Sequence, residues 1–97
     1  MKFTVNDIKE NIPNLARKLG YRAIRSERGE FNCVRLLAGA DYPRFHLFIK
    51  AEGDKFSFNL HLDQKKPSYS GTHSHSGEYD GDLVESEAER VKKLLRS

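Results

Sequence analysis

An α+β two-layer sandwich is the fold this sequence predicts, and three patterns carry the prediction. Apolar residues recur at helical spacing near both ends, residues 21–65 change to a period of two, and glycine turns divide that middle stretch into four runs. With 37% hydrophobic and 32% charged positions, the 97 residues suit one domain over 1–97 without room for a second core. No apolar run approaches the ~20 residues of a membrane span. Met1 is followed by a single Lys and then the polar stretch Asn6-Asp7, with no apolar leader run, and the single cysteine, Cys33, forms no internal disulfide. The expected setting is cytoplasmic.

The first element expected is a helix with Val5, Ile8, Ile12, Leu15 and Leu19 on one stripe. Thr4 is its expected N-cap, with Asp7 in the capping-box position and Phe3 packing on Ile8. Pro13 removes a helical donor, so the helix is kinked there or split, with a second helix starting at Pro13. Gly20 ends it.

A four-stranded antiparallel meander follows, over Tyr21–Glu27, Phe31–Ala38, Arg44–Glu52 and Lys55–Lys65. Gly53-Asp54 fits a two-residue hairpin turn and fixes the register of the last two strands. That register sets Phe45 against Leu62, Leu47 against Leu60, Ile49 against Phe58 and Ala51 against Phe56, an apolar face on both strands. The other face carries Arg44 opposite Asp63, His46 opposite His61, Phe48 opposite Asn59 and Lys50 opposite Ser57. Arg28-Gly29 is the expected turn of the first hairpin. Phe31–Leu37 is apolar on both parities; the parity expected here turns Val34, Leu36 and Ala38 inward with Tyr21 and Ala23. It leaves Arg22, Ile24, Phe31, Cys33 and Arg35 on the outer face with His46 and Phe48.

Residues 66–82 form a long loop, and a C-terminal helix follows with Val84, Ala88, Val91 and Leu95 on one stripe. Asp82 and Glu85 read as its capping box, Lys92, Lys93 and Arg96 match the dipole at its end, and Glu85, Glu87 and Glu89 read as a solvated face with Glu89 pairing to Lys93. Both helices then cover one sheet face and leave the other open.

Charge is distributed unevenly. Residues 1–50 hold ten Lys/Arg against five Asp/Glu, while residues 51–97 hold seven against nine, within a net charge of +3. The leading functional expectation is a non-catalytic binding domain that takes a protein partner, a second copy included, on its open sheet face and the 66–82 loop. The surface residues are Arg22, Arg35, Arg44, His46, Phe48, Lys50, Asn59, His61, Tyr69 and Tyr79. The same bases and aromatics also fit an RNA or single-stranded DNA surface, with phosphate contacts from the cations and bases stacked on Phe48. The leading reading needs no cofactor; a third reading is a metal site, for zinc first and with copper or nickel also suited to imidazole, or a metal-dependent hydrolase, using His46, His61, His73 and His75 with Asp63, Glu78 or Asp80 beside them.

Other chemistry lacks a pattern. Glu78, Asp80 and Asp82 stand between the glycines of the loop and the helix start, where they repel a phosphate. Cys33 and the loop serines have no local base signature, and Asp63 is explained by pairing with Arg44. Tyr69 and Tyr79 bracket the histidine loop with aromatic bodies able to pin it.

Overall fold

The structure, a computed structural model, describes residues 1–65, 77–78 and 81–96. Five antiparallel strands form one sheet in the order β1-β5-β4-β3-β2: β1 (Lys2–Asn6), β2 (Arg22–Glu27), β3 (Glu30–Leu36), β4 (Arg44–Glu52) and β5 (Lys55–Asp63). A two-residue strand, β6 (Gly77–Glu78), also pairs with β5, at Asp63 and Leu62. The helices are α1 (Ile12–Lys18) and α2 (Asp82–Arg96). The predicted α+β class and the meander β2-β3-β4-β5 are present, with an added strand at the N-terminus. Among the described residues, no helix is long and apolar enough to cross a membrane.

The expected first helix is wrong over its first half. Lys2–Asn6 is a strand whose Phe3 and Val5 lie across from Phe58 and Phe56, so its apolar parity joins the core face. Val5 satisfies both a helical stripe and a strand alternation; β5 decides between them, because its outer edge carries unpaired backbone groups that β1 satisfies. Asp7 then turns the chain with φ 62°. The helix begins only at Ile12, capped by Asn11, whose side chain accepts from the Asn14 backbone N–H at 2.9 Å. Pro13 falls in the first turn, where no helical donor is lost, and because a strand rather than a first helix precedes it, neither the kinked nor the split form of the expected helix is what forms. At the other end Gly20 has φ 87°, with its N–H donating to Arg17 and that of Tyr21 donating to Ala16. This is the two-bond left-handed stop that glycine permits.

The β4–β5 register matches the sequence expectation at every pair from Arg44↔Asp63 to Glu52↔Lys55. Gly53 supplies the positive φ of 66° that the turn needs. Phe45, Leu47 and Ile49 with Phe56, Phe58, Leu60 and Leu62 make the inner face, which buries Leu15 and Leu19 near α1 and Val84, Ala88 and Val91 of α2.

Arg28 and Gly29 turn the first hairpin with positive φ at both positions. The expected facing of β3 is reversed. Phe31, Cys33 and Arg35 oppose Ile49, Leu47 and Phe45 and so face inward, while Val34 opposes His46 on the outer face and is nonetheless buried. A strand apolar on both parities carries no facing of its own; pairing with β4 imposes it. Leu36 is exposed, Ala38 lies past the strand, and a bulge between Ala23 and Arg25 leaves Ile24 exposed on the edge strand β2. Bulge and charges together blunt that edge against pairing with another strand.

In α2 the first helical bond runs from the Glu85 N–H to the Gly81 carbonyl, so Asp82 stands inside the first turn instead of capping it. Glu85 is exposed and Glu89 approaches Lys92, not Lys93, at 3.9 Å. Glu87 corrects the solvated-face expectation: it is 4% exposed. Its carboxylate accepts from the Tyr21 hydroxyl at 2.6 Å, from Arg90 Nε and Nη2 at 2.7 and 2.8 Å, and from Arg35 Nη1 at 3.3 Å. Arg90 Nη2 also donates to the Leu19 carbonyl at 2.7 Å. One carboxylate thus ties α2 to β3 and to the end of α1. Burial first, and the Glu87 bond second, push the Tyr21 hydroxyl well above its ordinary range.

Candidate functional site

Both helices pack on the inner face, so the candidate site is the outer face of β4 and β5. Alternation places Arg44, His46, Phe48 and Lys50 of β4 there, opposite Asp63, His61, Asn59 and Ser57 of β5. Two different environments follow along it.

Toward the Asp63 end the groups are buried and bonded. His46 Nδ1 lies 2.9 Å from Asp63 Oδ2 and His61 Nε2 lies 3.0 Å from Oδ1, so two imidazoles converge on one carboxylate. Arg44 Nε stands 3.5 Å from Oδ2, with its guanidinium 4.5 Å over the Tyr42 ring. His46 Nε2 contacts the side-chain oxygen of Asn32, from the neighbouring strand β3. His61 and Asp63 are 8% and 7% exposed. Burial alone would raise the Asp63 carboxyl; the hydrogen bonds from His46 and His61 overcome it and hold the acid well below the usual carboxylate range.

Toward the Gly53 turn the surface opens around Phe48. The His46 and Phe48 rings stack with centroids 4.7 Å apart, and His61 lies 5.7 Å from Phe48 on the diagonal. Two shallow hollows meet at Phe48 and Glu30. One continues past Asn32 to Arg25, Glu27, Arg28 and Lys50, and the other past Asn59 and Ser57 to Lys2, Thr4 and Glu52.

Of the residues expected at the surface, Arg44, His46, Phe48, Lys50, Asn59 and His61 are brought onto this face together. Arg35 is not: it faces inward to Glu87, because β3 takes its facing from β4. Arg22 keeps the outer parity opposite Val34 but lies on the edge strand, beside a separate hollow with Arg17 and Leu36. Tyr69, His73, His75 and Tyr79 lie outside the described residues. Asn32 and Glu30 were missed through the reversed facing of β3, and Lys2 and Thr4 through the helical reading of the N-terminus. Alternation in Lys2–Asn6 was the signal for the latter pair.

Cys33 faces inward and is fully buried, not on the outer face. Burial pushes its thiol up to about 11. At pH 8 the folded protein should therefore resist iodoacetamide, with labelling rising as the pH approaches 11, whereas denatured chain labels promptly. Equal rates in the two states at pH 8 would contradict the burial. Because the folded value is the higher one, the stability linked to this thiol is full below pH ~9 and falls as the pH rises through 11.

Models of known protein families, curated proteins and solved structures were each compared with the chain, and none matches it.

Proposed function

We propose that this chain is a non-catalytic binding domain that recognises a protein partner through the outer face of its sheet, with the 66–82 segment beside it. The observation that carries the reading is the mixed charge of the rim around Phe48. Lys2, Arg25, Arg28 and Lys50 alternate with Glu27, Glu30 and Glu52 in the two hollows that share this half-buried ring. A polar rim of both signs around an aromatic anchor suits a protein surface. It suits a phosphate backbone poorly, because three carboxylates stand where phosphates would lie. Two cations expected to meet phosphates are also engaged elsewhere, Arg35 with Glu87 and Arg44 with Asp63. Gly77 and Glu78 pair with Asp63 and Leu62 of β5.

Phe48→Ala is expected to weaken partner binding by at least ~30-fold, as truncating a central aromatic anchor does. Leu83→Ala, on exposed helix surface, should change nothing. The measurement is capture from lysate before and after nuclease treatment, followed by titration of the captured protein. Capture that survives nuclease and fails with Phe48→Ala supports the reading. Undiminished capture by the variant overturns it, and capture abolished by nuclease transfers the face to nucleic acid.

A further inference from the structure

We propose that His46, His61 and Asp63 form a binding site for a divalent transition-metal ion of the zinc class, a site independent of the partner-binding reading. The register builds it. His46 and His61 stand directly opposite each other on β4 and β5, and Asp63 follows His61 by two residues and so shares its face. One ligand atom from each of the three side chains lies within 4.8 Å of the other two. A tetrahedral zinc ion with ligands at ~2.0–2.1 Å keeps its donors ~3.3 Å apart. His46 Nδ1 lies 2.9 Å from Asp63 Oδ2 and His61 Nε2 3.0 Å from Oδ1, so each imidazole meets a different carboxylate oxygen, and a small turn of the carboxylate that offers one oxygen to both brings the donors to this spacing.

The donor chemistry selects the ion. Two imidazoles and a carboxylate suit zinc and its first-row neighbours, whereas calcium and magnesium take oxygen donors alone. Rigidity is supplied by position, since β5 and β4 are flanked on both sides by other strands. The surrounding contacts are those that orient metal ligands: Asn32 holds the far nitrogen of His46, turning Nδ1 toward Asp63, and Arg44 hydrogen-bonds to the carboxylate. The guanidinium charge opposes a dication and sets the affinity below that of a site without it. Apolar side chains of the same volume would serve stability as well as this buried polar trio does, so stability is a weak reason for it. When the ion enters, the imidazole nitrogen facing it gives up its proton, a charged ring releasing it to water and a neutral ring carrying it on the other nitrogen instead, so that a neutral imidazole lone pair binds the metal. Three protein ligands leave a fourth position for water.

The test uses the full chain, untagged and stripped with a chelator. Zn2+ alone is titrated by calorimetry, and the imidazole nitrogens are followed by 15N NMR. One equivalent should bind, with shifts of the His46 Nδ1 and His61 Nε2 resonances. Binding should be lost in His61→Gln and in Asp63→Asn, and should weaken ~10–100-fold in Asn32→Ala. Absence of stoichiometric uptake by the wild-type chain overturns the proposal. So does uptake that leaves both imidazoles unmoved, which would place the ion elsewhere, His73 and His75 included. Because that readout comes from the wild-type protein, the test holds even where a variant does not fold.

Discussion

Glu87→Ala is expected to lower the stability of the folded chain by about 3 kcal/mol, a fall in melting temperature on the order of 15 °C for a domain of this size. The carboxylate is buried and serves the Tyr21 hydroxyl, Arg35 and Arg90 at once. Removing it strands the Tyr21 hydroxyl inside the protein. The two arginines are each 34% exposed at the side chain, so water recovers part of their solvation and the loss stays below that of a wholly buried ion pair. Tyr21→Phe, which removes one donor and keeps the ring, should cost only about 1 kcal/mol. Urea unfolding of the two single variants and the double variant checks both figures. A loss under about 1 kcal/mol for Glu87→Ala would show that α2 is held by its apolar stripe alone.

Phe58→Ala should be costlier still, about 3–5 kcal/mol, the range for emptying an aromatic position in a close-packed core. Phe58 is 2% exposed at the centre of the inner face, and its ring stacks on Phe3 with centroids 5.1 Å apart and planes 10° from parallel. The cavity therefore opens where β1 joins the sheet. Hydrogen exchange should show the β1 amides losing protection before those of β4, because β1 is, among the described residues, an edge strand paired only with β5. Loss of protection spread evenly over the sheet would mean that β1 does not depend on this stack. Leu83→Ala serves as the control, within about 0.5 kcal/mol of wild type, since that side chain is 57% exposed.

Fold and site are connected through the same two strands. The inner face of β4 and β5 fixes their pairing by apolar contacts, and that pairing places His46 against His61 and Arg44 against Asp63 on the outer face. A slip of one residue would carry the apolar set into water and scatter the polar set. The energy that holds the outer cluster in register thus comes from the opposite side of the sheet.

Where a local pattern admitted a single solution, the sequence alone determined it. The Gly53-Asp54 turn with strict alternation on both flanks gave the β4–β5 register and with it most of the outer-face residues. Gly20 gave the end of α1, and the stripe from Val84 to Val91 gave α2. Where two solutions were locally equal, the tertiary structure decided. Val5 fits a helical stripe and a strand equally, and only the open edge of β5 makes Lys2–Asn6 a strand. Phe31–Leu37 is apolar on both parities, so β4 chooses which residues face inward, and that choice sends Arg35 to Glu87 instead of to the outer face. Glu87 sits among acids that belong on a solvated helix face; it is buried because Tyr21, Arg35 and Arg90, from 66 residues before it to three after, converge on it. Period and turn chemistry act over a few residues and are written in the chain, whereas facing and burial depend on which distant surface arrives opposite.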